Sequence, residues 1–412
     1  MGSPRGRAGF RMKATSGRNV PSTRVVKRWG WLSTVVALAV VLVVLAVLGA
    51  RESPPGGGAG EPAARLPGVT TGSSASAAPA PTVPPHPDPP SWMRRLQPGE
   101  KPPQFLLFSF DGAASKEHWD RLNPIAARTG AHVTGLLSGV YLLTEQQGAA
   151  TYRGPKQGAG RSDIGFGGTQ ADVELRIGYL NQAIDDGHEI GTHYNGHFCA
   201  GGASSVGDWD TADWGSELEQ FFQIVEKARA KGFKLDPSAV RGGRTPCLEG
   251  RWDQAFPAMR QRGLVYDTSH VSLGVQWPSV RDGVWEFPMP EVRVPALGKQ
   301  VVMMDFNLWY ALDGAKEKTD PANVPLFTQV VVDTYRSVLR AAANGNRAPV
   351  VIGNHFNDWA GGAFSEAVER FMGEACGAGG AVCATYTEVL QWMQLQDPEV
   401  LEHYRRMPAA MN

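Results

Sequence analysis

Gly187–His197, GHEIGTHYNGH, carries two histidines four residues apart, directly after a short apolar run. The run Glu189–Gly191 is typical of a buried strand, which puts His193 and His197 on the loop at its carboxyl end. On a loop that contains glycine, both imidazoles can converge on one cation. Neutral imidazole is a common ligand of zinc and related divalent metals. The pair therefore favours a metal site over histidines that are only hydrogen-bonded.

Outward from this loop, strand and helix patterns alternate through residues 92–412. This alternation predicts an α/β fold with a parallel sheet, open or closed into a barrel, and catalytic groups at the carboxyl ends of the strands. The apolar runs that predict strands are Phe105–Phe110, His132–Leu137, Glu189–Gly191, Leu264–Tyr266, Val301–Met304, Val350–Ile352 and Val382–Tyr386. The helical spacings are Ala171–Asp186, Ser216–Lys231, Phe327–Ala343 and Phe364–Ala375.

Polar residues follow other predicted strands in the same way. Asp111 comes after Phe105–Phe110, where a carboxylate has little reason in packing. Arg244 follows a further predicted strand around Ala239–Arg241. A guanidinium there can orient a carboxylate through two parallel hydrogen bonds. His355 follows the run that begins at Val350, where an imidazole can give a proton to a leaving amine. An ordinary turn residue is the equal alternative for Arg244 and for His355.

Four cysteines predict two disulfides if this part of the chain is exported. Cys376 and Cys383 flank a short Gly/Ala turn and are the favoured pair. Cys199 and Cys247 lie beside the histidine loop and the Arg244 turn, so a bond between them would join two loops of the site. A thiolate metal site is the alternative, but no CxxC spacing supports it.

The first fifty residues contain eight Lys or Arg and no acidic residue, and they end in the uncharged run Trp31–Ala50. That run has the length of a membrane-spanning helix, and the basic arm 1–30 before it predicts a cytoplasmic N-terminus. We expect a single-pass protein of the cell membrane with its C-terminal domain extracellular. Cleavage of a signal peptide within residues 1–50 is the alternative and would make the protein secreted.

Residues 51–91 are rich in Pro, Gly and Ala, which predicts a disordered linker before the catalytic domain at 92–412. The whole chain has forty basic and forty acidic residues. Without the eight basic residues of the first fifty, 32 basic and 40 acidic residues remain. This mildly acidic balance predicts no nucleic-acid partner. No strand–glycine–helix unit carries G-x-G-x-x-G, so no nucleotide cofactor is expected.

In this order the motifs resemble those of the polysaccharide deacetylases, the NodB-homology group of carbohydrate esterases. GHEIGTHYNGH resembles that family's G-H-E-I-G-N-H-[ST]-x-x-H metal motif, and SFDG resembles its T-F-D-D-G motif. Four shorter segments also resemble family motifs in order: RTPC at Arg244, YDTS at Tyr266, WEFP at Trp285 and VVIGNH at Val350.

The resemblance implies a distorted (β/α) barrel with about seven strands, NodB-like, after the N-terminal transmembrane helix and the Pro-rich linker. It implies a divalent metal, zinc by expectation, held by His193, His197 and Asp111. The implied reaction removes N-acetyl groups from an N-acetylhexosamine polysaccharide such as peptidoglycan or a chitin-like chain. The expected partners are therefore this polysaccharide and, through the N-terminal helix, the membrane.

The resemblance also implies a role for each catalytic residue. Asp111 aligns with the family's base, Arg244 orients it, and His355 is the general acid with Asp267 holding its imidazole. Two side chains are expected to contact the sugar, Tyr194 and Trp359.

The chain departs from the family at Gly112, where a second aspartate normally stands. One carboxylate cannot easily be both a tight ligand and a free base. Another carboxylate could complete the metal shell, the candidates being Asp208, Asp210, Asp213 and Glu249. The alternative function is a catalytically inactive relative that binds cell-surface glycan.

Overall fold

The computed structural model describes residues 80–199, 201, 204–377 and 380–412. The predicted cytoplasmic arm, the predicted span Trp31–Ala50 and most of the predicted linker lie outside these residues. Within the described part of the chain, no helix has both the length and the apolar character needed to cross a membrane.

A mainly parallel sheet forms the centre of the domain. The strands are β1 (Phe105–Gly112), β2 (Thr134–Leu137), β3 (Glu189–Thr192), β4 (Gly242–Gly243), β5 (Tyr266–Asp267), β6 (Val271–Leu273), β7 (Ser279–Arg281), β8 (Val284–Glu286), β9 (Met289–Val294), β10 (Lys299–Val302), β11 (Val350–His355) and β12 (Val382–Cys383). The order is β11-β1-β2-β3-β4-β5-β8-β7, with β12 also on β1, and β7–β8 is the antiparallel pair. A second sheet has the order β10-β9-β6.

Helices cover the sheet and connect its strands. They are α1 (Lys116–Thr129), α2 (Glu145–Thr151), α3 (Gln170–Asp185), α4 (Thr211–Arg229), α5 (Trp252–Gln261), α6 (Asp305–Asp313), α7 (Val324–Asn344), α8 (Trp359–Ala375), α9 (Tyr386–Leu395) and α10 (Pro398–Arg405). Strand β1 is buried on both faces, as expected for a parallel strand between helical layers. Phe105 packs on Trp392, and Phe108 packs on Phe371.

The α/β class and the mainly parallel sheet are confirmed. Strand β4 is three places from β1 in the sheet, about 14 Å away at the usual strand spacing. The long side chain of Arg244, which follows β4, spans this gap, and its Nη1 lies 2.7 Å from Asp111 Oδ1 at the end of β1. The described strands form a path with two ends and not a hydrogen-bonded ring. Met304 instead bridges Gly353 on the outer side of β11.

All four predicted helices are present, but several predicted strands have other bounds. The strand predicted at Leu264–Tyr266 is β5, which begins at Tyr266, and the one predicted at Val301–Met304 is β10, which ends at Val302 and pairs antiparallel with β9 in the second sheet. The run Val382–Tyr386 is a strand only to Cys383, and Tyr386 begins α9. Thr385 caps this helix by accepting a hydrogen bond from the backbone N–H of Glu388, and the Glu388 side chain accepts one from the Thr385 N–H. This reciprocal cap turns the chain from strand to helix.

The packed domain begins N-terminal to the predicted boundary at residue 92. We call residues 80–91 the N-terminal strap. Val83 in the strap is buried, and its backbone N–H donates to Gln394 Oε1 at 2.7 Å. Trp285 Nε1 donates to the carbonyl of Pro81 at 2.9 Å. The strap is therefore part of the folded domain, although its composition predicts a linker.

Both predicted disulfides are formed. Cys376–Cys383 closes the short turn between α8 and β12, with 5.6 Å between the two Cα atoms. Cys199–Cys247 joins the segment after β3 to the turn after β4, with 6.0 Å between the Cα atoms.

Candidate active site

The carboxyl ends of β1, β3, β4 and β11 lie together and carry Asp111, His193, Arg244 and His355. The parallel register of β1 and β11 pairs Asp111 directly with His355. His193 and Arg244 each follow the last residue of their strand, and Thr192 pairs with Gly243 between β3 and β4. The structure thus brings these four predicted site residues to one place.

Arg244 is fully buried and holds Asp111 through one of its two oxygens. Its Nη1 donates to Asp111 Oδ1 at 2.7 Å, and its Nη2 donates to Ser109 Oγ at 2.8 Å. The remaining contacts go to Thr268 and to the hydroxyl of Tyr386. The predicted two-bond fork to the carboxylate is wrong, because Ser109, Thr268 and Tyr386 take the other donors. Asp111 Oδ2 stays available and lies 4.0 Å from His355 Nε2.

Asp111 is an ionised carboxylate at neutral pH. Burial raises its pKa, but the charges of Arg244, His193 and His355 outweigh burial and leave the pKa below its usual value. Asp111 can therefore act as a metal ligand, which requires the charged form, and the low pKa makes it a weak base.

His193 presents a free ring nitrogen to the same space. Its Nδ1 donates to the carbonyl of Arg244 at 2.8 Å, which leaves Nε2 as the acceptor of a neutral ring. This buried Nε2 has no hydrogen-bond partner among the described residues. Burial lowers the pKa of His193 to about 3. A neutral imidazole fixed through Nδ1, with an unpaired Nε2, is the arrangement that metal-binding histidines show.

His197 lies beside His193, with 5.1 Å between the ring centroids. Burial and the nearby His355 lower its pKa, so this ring is also neutral. Tyr194 and His197 both have left-handed backbone, with φ of 57° and 58°. This conformation is uncommon for residues with a side chain and gives the loop its sharp turn.

The donor set of His193, His197 and Asp111 fits a divalent metal in chemistry, although its atoms are not drawn together. Of the described residues, only His197, Cys199 and Cys247 bring three ligand atoms within 4.8 Å of one another. The two sulfurs are bonded to each other and offer no thiolate. The two histidines and Asp111 stand farther apart than this, so binding of an ion would have to draw them inward.

His355 is held by Asp305, a residue that the sequence reasoning missed. Asp305 Oδ1 lies 2.7 Å from His355 Nδ1, and Oδ2 accepts the His355 backbone N–H at 2.6 Å. Burial lowers the pKa of His355, but Asp305 and Asp111 outweigh this and raise it above its usual value. Asp305 directly follows the run Val301–Met304, so the rule that selected Asp111 would have found it.

The role predicted for Asp267 is wrong. Asp267 accepts hydrogen bonds from the backbone N–H and the hydroxyl of Ser269, at 2.9 and 2.8 Å. It is fully buried, and burial raises its pKa to about 7. Asp267 therefore shapes the turn after β5, and Asp305 occupies the place beside His355 that was assigned to it.

Three of the four carboxylates considered as a second metal ligand, all but Asp208, make contacts that serve local structure. Asp210 and Asp213 form a reciprocal cap at the start of α4, and Asp213 also pairs with Lys156 at 2.7 Å. Glu249 accepts a hydrogen bond from the Ser205 hydroxyl at 2.7 Å. Gly112, at the position of the family's second aspartate, has a left-handed φ of 83°. The backbone there is one that an aspartate would adopt only with strain.

Of the two predicted sugar contacts, the structure places one beside His355. Tyr194 is fully buried against Trp214, so its predicted contact with the sugar is wrong. Trp359 lies 4.9 Å from the His355 ring and stacks on Trp309 at 5.0 Å. We call Phe306, Trp309, Tyr310 and Trp359 the aromatic surface; Phe306 and Tyr310 are 45% and 54% exposed.

No protein-family model matches the chain, and no curated protein matches it either. Solved structures do. A Mycobacterium smegmatis protein assigned as a polysaccharide deacetylase aligns over 78% of this chain and 97% of its own, with 12% identity and a TM-score of 0.46. A peptidoglycan deacetylase mutant from Bacillus subtilis aligns over 76% and 99%, with 12% identity and a TM-score of 0.38.

A third solved structure is a CE4 family pseudoenzyme from Bacillus anthracis. It aligns over 71% of this chain and 66% of its own, with 11% identity and a TM-score of 0.38. The solved structures that this chain resembles are thus polysaccharide deacetylases and CE4 family members. At these identities, activity has to be inferred from the side chains of the chain itself.

Proposed function

We propose that this chain is a metal-dependent deacetylase that hydrolyses N-acetyl groups of an N-acetylhexosamine polysaccharide. The observation that carries the proposal is the pairing of Asp111 and His355, with Oδ2 and Nε2 4.0 Å apart, beside the unpaired Nε2 of His193. A proton acceptor, a proton donor and a metal-type nitrogen then face one space. These are the groups that amide hydrolysis at a metal site needs.

The ion would be held by His193 and His197, because Arg244 engages Asp111 Oδ1 and Oδ2 serves as the base, and zinc is the ion we propose. Bound there, it would polarise the acetyl carbonyl and lower the pKa of the attacking water. The tautomer of His193 is already set by the carbonyl of Arg244, so this ring can bind without first changing its proton.

Asp111 and His355 divide the proton transfers. Asp111 Oδ2 takes a proton from the attacking water, while Arg244 keeps Oδ1 in place. His355 retains its proton to higher pH than an ordinary histidine, because Asp305 and Asp111 favour the charged ring. Its Nε2 then protonates the departing amine, while Asp305 keeps the ring oriented through Nδ1.

The aromatic surface supports a sugar polymer as the substrate. Phe306 packs edge-on against Trp359, which in turn contacts His355. Aromatic faces next to a proton donor provide large apolar contact area for the sugar ring that carries the departing amine. We therefore place the leaving amino sugar over this surface.

Glycan binding without turnover is the second candidate function, and Gly112 favours it. Gly112 has no carboxylate, so Asp111 alone stands where the resembled family has two aspartates. A chain that holds glycan but lacks a separate base would bind substrate and release no acetate.

The deciding experiment measures acetate release by the full-length chain from chitin oligomers and from peptidoglycan, with zinc and with chelator. His193→Ala and Asp111→Asn should each abolish release. His403→Ala is the matched control, because His403 is exposed on α10 far along the chain from the site. Glycan binding by the native chain with no release from any substrate would replace the deacetylase with the binding function.

We also propose that Trp31–Ala50 anchors the protein in the cell membrane with residues 92–412 outside. A basic arm before an uncharged run of this length supports that orientation. Membrane fractionation and protease treatment of intact cells test it. Recovery of a shortened chain in the medium would instead support cleavage and secretion.

A further inference from the structure

A buried carboxylate, Glu217, lies directly behind the loop that carries the two histidines. It sits on α4 between Trp214, Leu218 and Phe221, which form the buried apolar stripe of that helix. Its side chain is fully buried. A carboxylate in such a stripe is unfavourable unless its oxygens are hydrogen-bonded. None of the proton transfers proposed above uses it.

Three donors from two segments of the chain surround the Glu217 carboxylate. The Tyr152 hydroxyl shares its proton between both carboxylate oxygens at 2.9 Å. The backbone N–H groups of Asn195 and Gly196 donate to Oε1 at 3.0 and 3.2 Å, and the Gly196 N–H is shared with the Tyr152 hydroxyl oxygen at 3.0 Å. The Asn195 side chain also donates to the backbone carbonyl of Glu217 at 2.9 Å. The carboxylate thus fixes the two residues that lie between Tyr194 and His197.

This loop needs an external support. Tyr194 and His197, on either side of the fixed residues, are both left-handed, a conformation that is unfavourable for residues with a side chain. The loop also packs closely: a Cβ added to Gly139 would lie 2.3 Å from Asn195 Oδ1. A conformation with this strain persists only where its surroundings impose it, and Glu217 supplies backbone hydrogen bonds at the centre of the loop.

We infer that Glu217 is a positioning residue that clamps the Asn195–Gly196 backbone so that His193 and His197 face one ion. The inference rests on the proposed function. Glu217 touches neither histidine ring; it acts through the backbone between them. A glutamine at this position would replace the charged acceptor with a neutral amide oxygen, and hydrogen bonds to a neutral acceptor are about half as strong, so the bonds to the loop would weaken.

The test compares Glu217→Gln with the native full-length chain in two measurements. Competition with a zinc chelator should show zinc binding weakened by about 10–100-fold, the usual effect of losing a partner behind a metal ligand. Amide hydrogen exchange at Asn195 and Gly196 in the zinc-free chain should become faster. Glu219→Gln is the matched control, because Glu219 lies on the same helix, is partly exposed and pairs with Arg262. It should match the native chain in both measurements.

Tyr152→Phe provides a second variant, since it removes one donor to Glu217 and the oxygen that accepts the Gly196 N–H at 3.0 Å, and leaves the carboxylate in place. It should weaken zinc binding in the same direction and by less, and it decides the matter if Glu217→Gln does not fold. Native zinc affinity in the variant that folds overturns the inference, whether or not exchange has changed, and leaves the proposed function standing. Absence of zinc binding by the native chain overturns both.

Discussion

The Asp305 carboxylate sets the charge of His355, and its removal should alter the pH dependence of turnover. A raised pKa means that His355 carries its proton below that pKa and loses it as the pH rises through it. Asp305→Asn removes the main charge that opposes the effect of burial, so the pKa of His355 falls. The alkaline limb of the kcat profile should then move to lower pH, which a pH–rate profile measures.

Asp333→Asn is the control for this experiment. Asp333 pairs with Arg336 on the outer side of α7, away from His355. Its profile should overlay that of the native chain. An unchanged alkaline limb in Asp305→Asn would show that His355 is not the group whose proton limits turnover.

Gly112 is required by its backbone, and replacement by alanine should destabilise the fold. With φ at 83°, a side chain costs about 1–2 kcal/mol, although the nearest atom to an added Cβ is at 3.6 Å. Urea unfolding of Gly112→Ala measures this loss. Gly178→Ala in α3 is the matched control, because its added Cβ meets nothing within 4 Å. That control should gain up to about 1 kcal/mol; a Gly112→Ala as stable as native would contradict the prediction.

At this scale the strand-end rule predicted Asp111, Arg244 and His355 correctly as neighbours, because parallel strands bring their carboxyl ends to one edge. The same rule could not decide whether Asp267 or Asp305, which follow two different predicted strands, is the partner of His355. Asp305 faces His355 only because Met304 bridges Gly353, a contact between distant parts of the sequence. Burial of Tyr194 behind the loop likewise depends on its left-handed backbone, which no residue pattern predicts.

At the scale of elements, the two disulfides should differ in their effect on stability. Cys199–Cys247 closes a separation of 48 residues and Cys376–Cys383 one of 7. Loop-closure entropy then gives about 4 kcal/mol for the first and about 2 kcal/mol for the second. Denaturant unfolding of the two double Cys→Ser variants measures both. Equal losses would contradict the entropic account.

Only the first of these disulfides should affect zinc binding. Cys199 follows His197 by two residues, and its Sγ lies 3.8 Å from the His197 ring. The bond therefore fixes the far end of the histidine loop. The other bond lies between α8 and β12 and serves as the control. Weaker zinc binding in both double variants would indicate a general loss of structure.

Long elements were predictable from their residues, whereas for very short strands only the approximate place was predictable and the bounds were not. The apolar runs of β1 and β11 and the spacing of α4 and α7 carry enough residues to show a period. Strands β4 and β5 have two residues each. Their bounds depend on where the chain passes close to its neighbours: a Cβ on Gly242 would lie 2.3 Å from the carbonyl oxygen of Tyr266. Such an approach joins distant parts of the sequence.

At the scale of the molecule, the N-terminal strap should contribute to stability. A chain that starts at residue 92 loses the burial of Val83 and its bond with Gln394. Burial of one such side chain is worth about 2 kcal/mol, so this chain should unfold at a lower denaturant concentration than one that starts at residue 80. Equal midpoints would place the strap outside the cooperative unit.

The pairing of β1 with β11 has a consequence for when activity can arise. Asp111 and His355 sit on adjacent strands, yet one comes from the start of the described domain and the other from near its end. A nascent chain carries Asp111, Arg244, His193 and His197 long before it carries His355. The paired site therefore forms only after synthesis of almost the whole described domain and after a slow, long-range docking step. A fragment that ends before β11 lacks His355, so it lacks the acid of the proposed reaction.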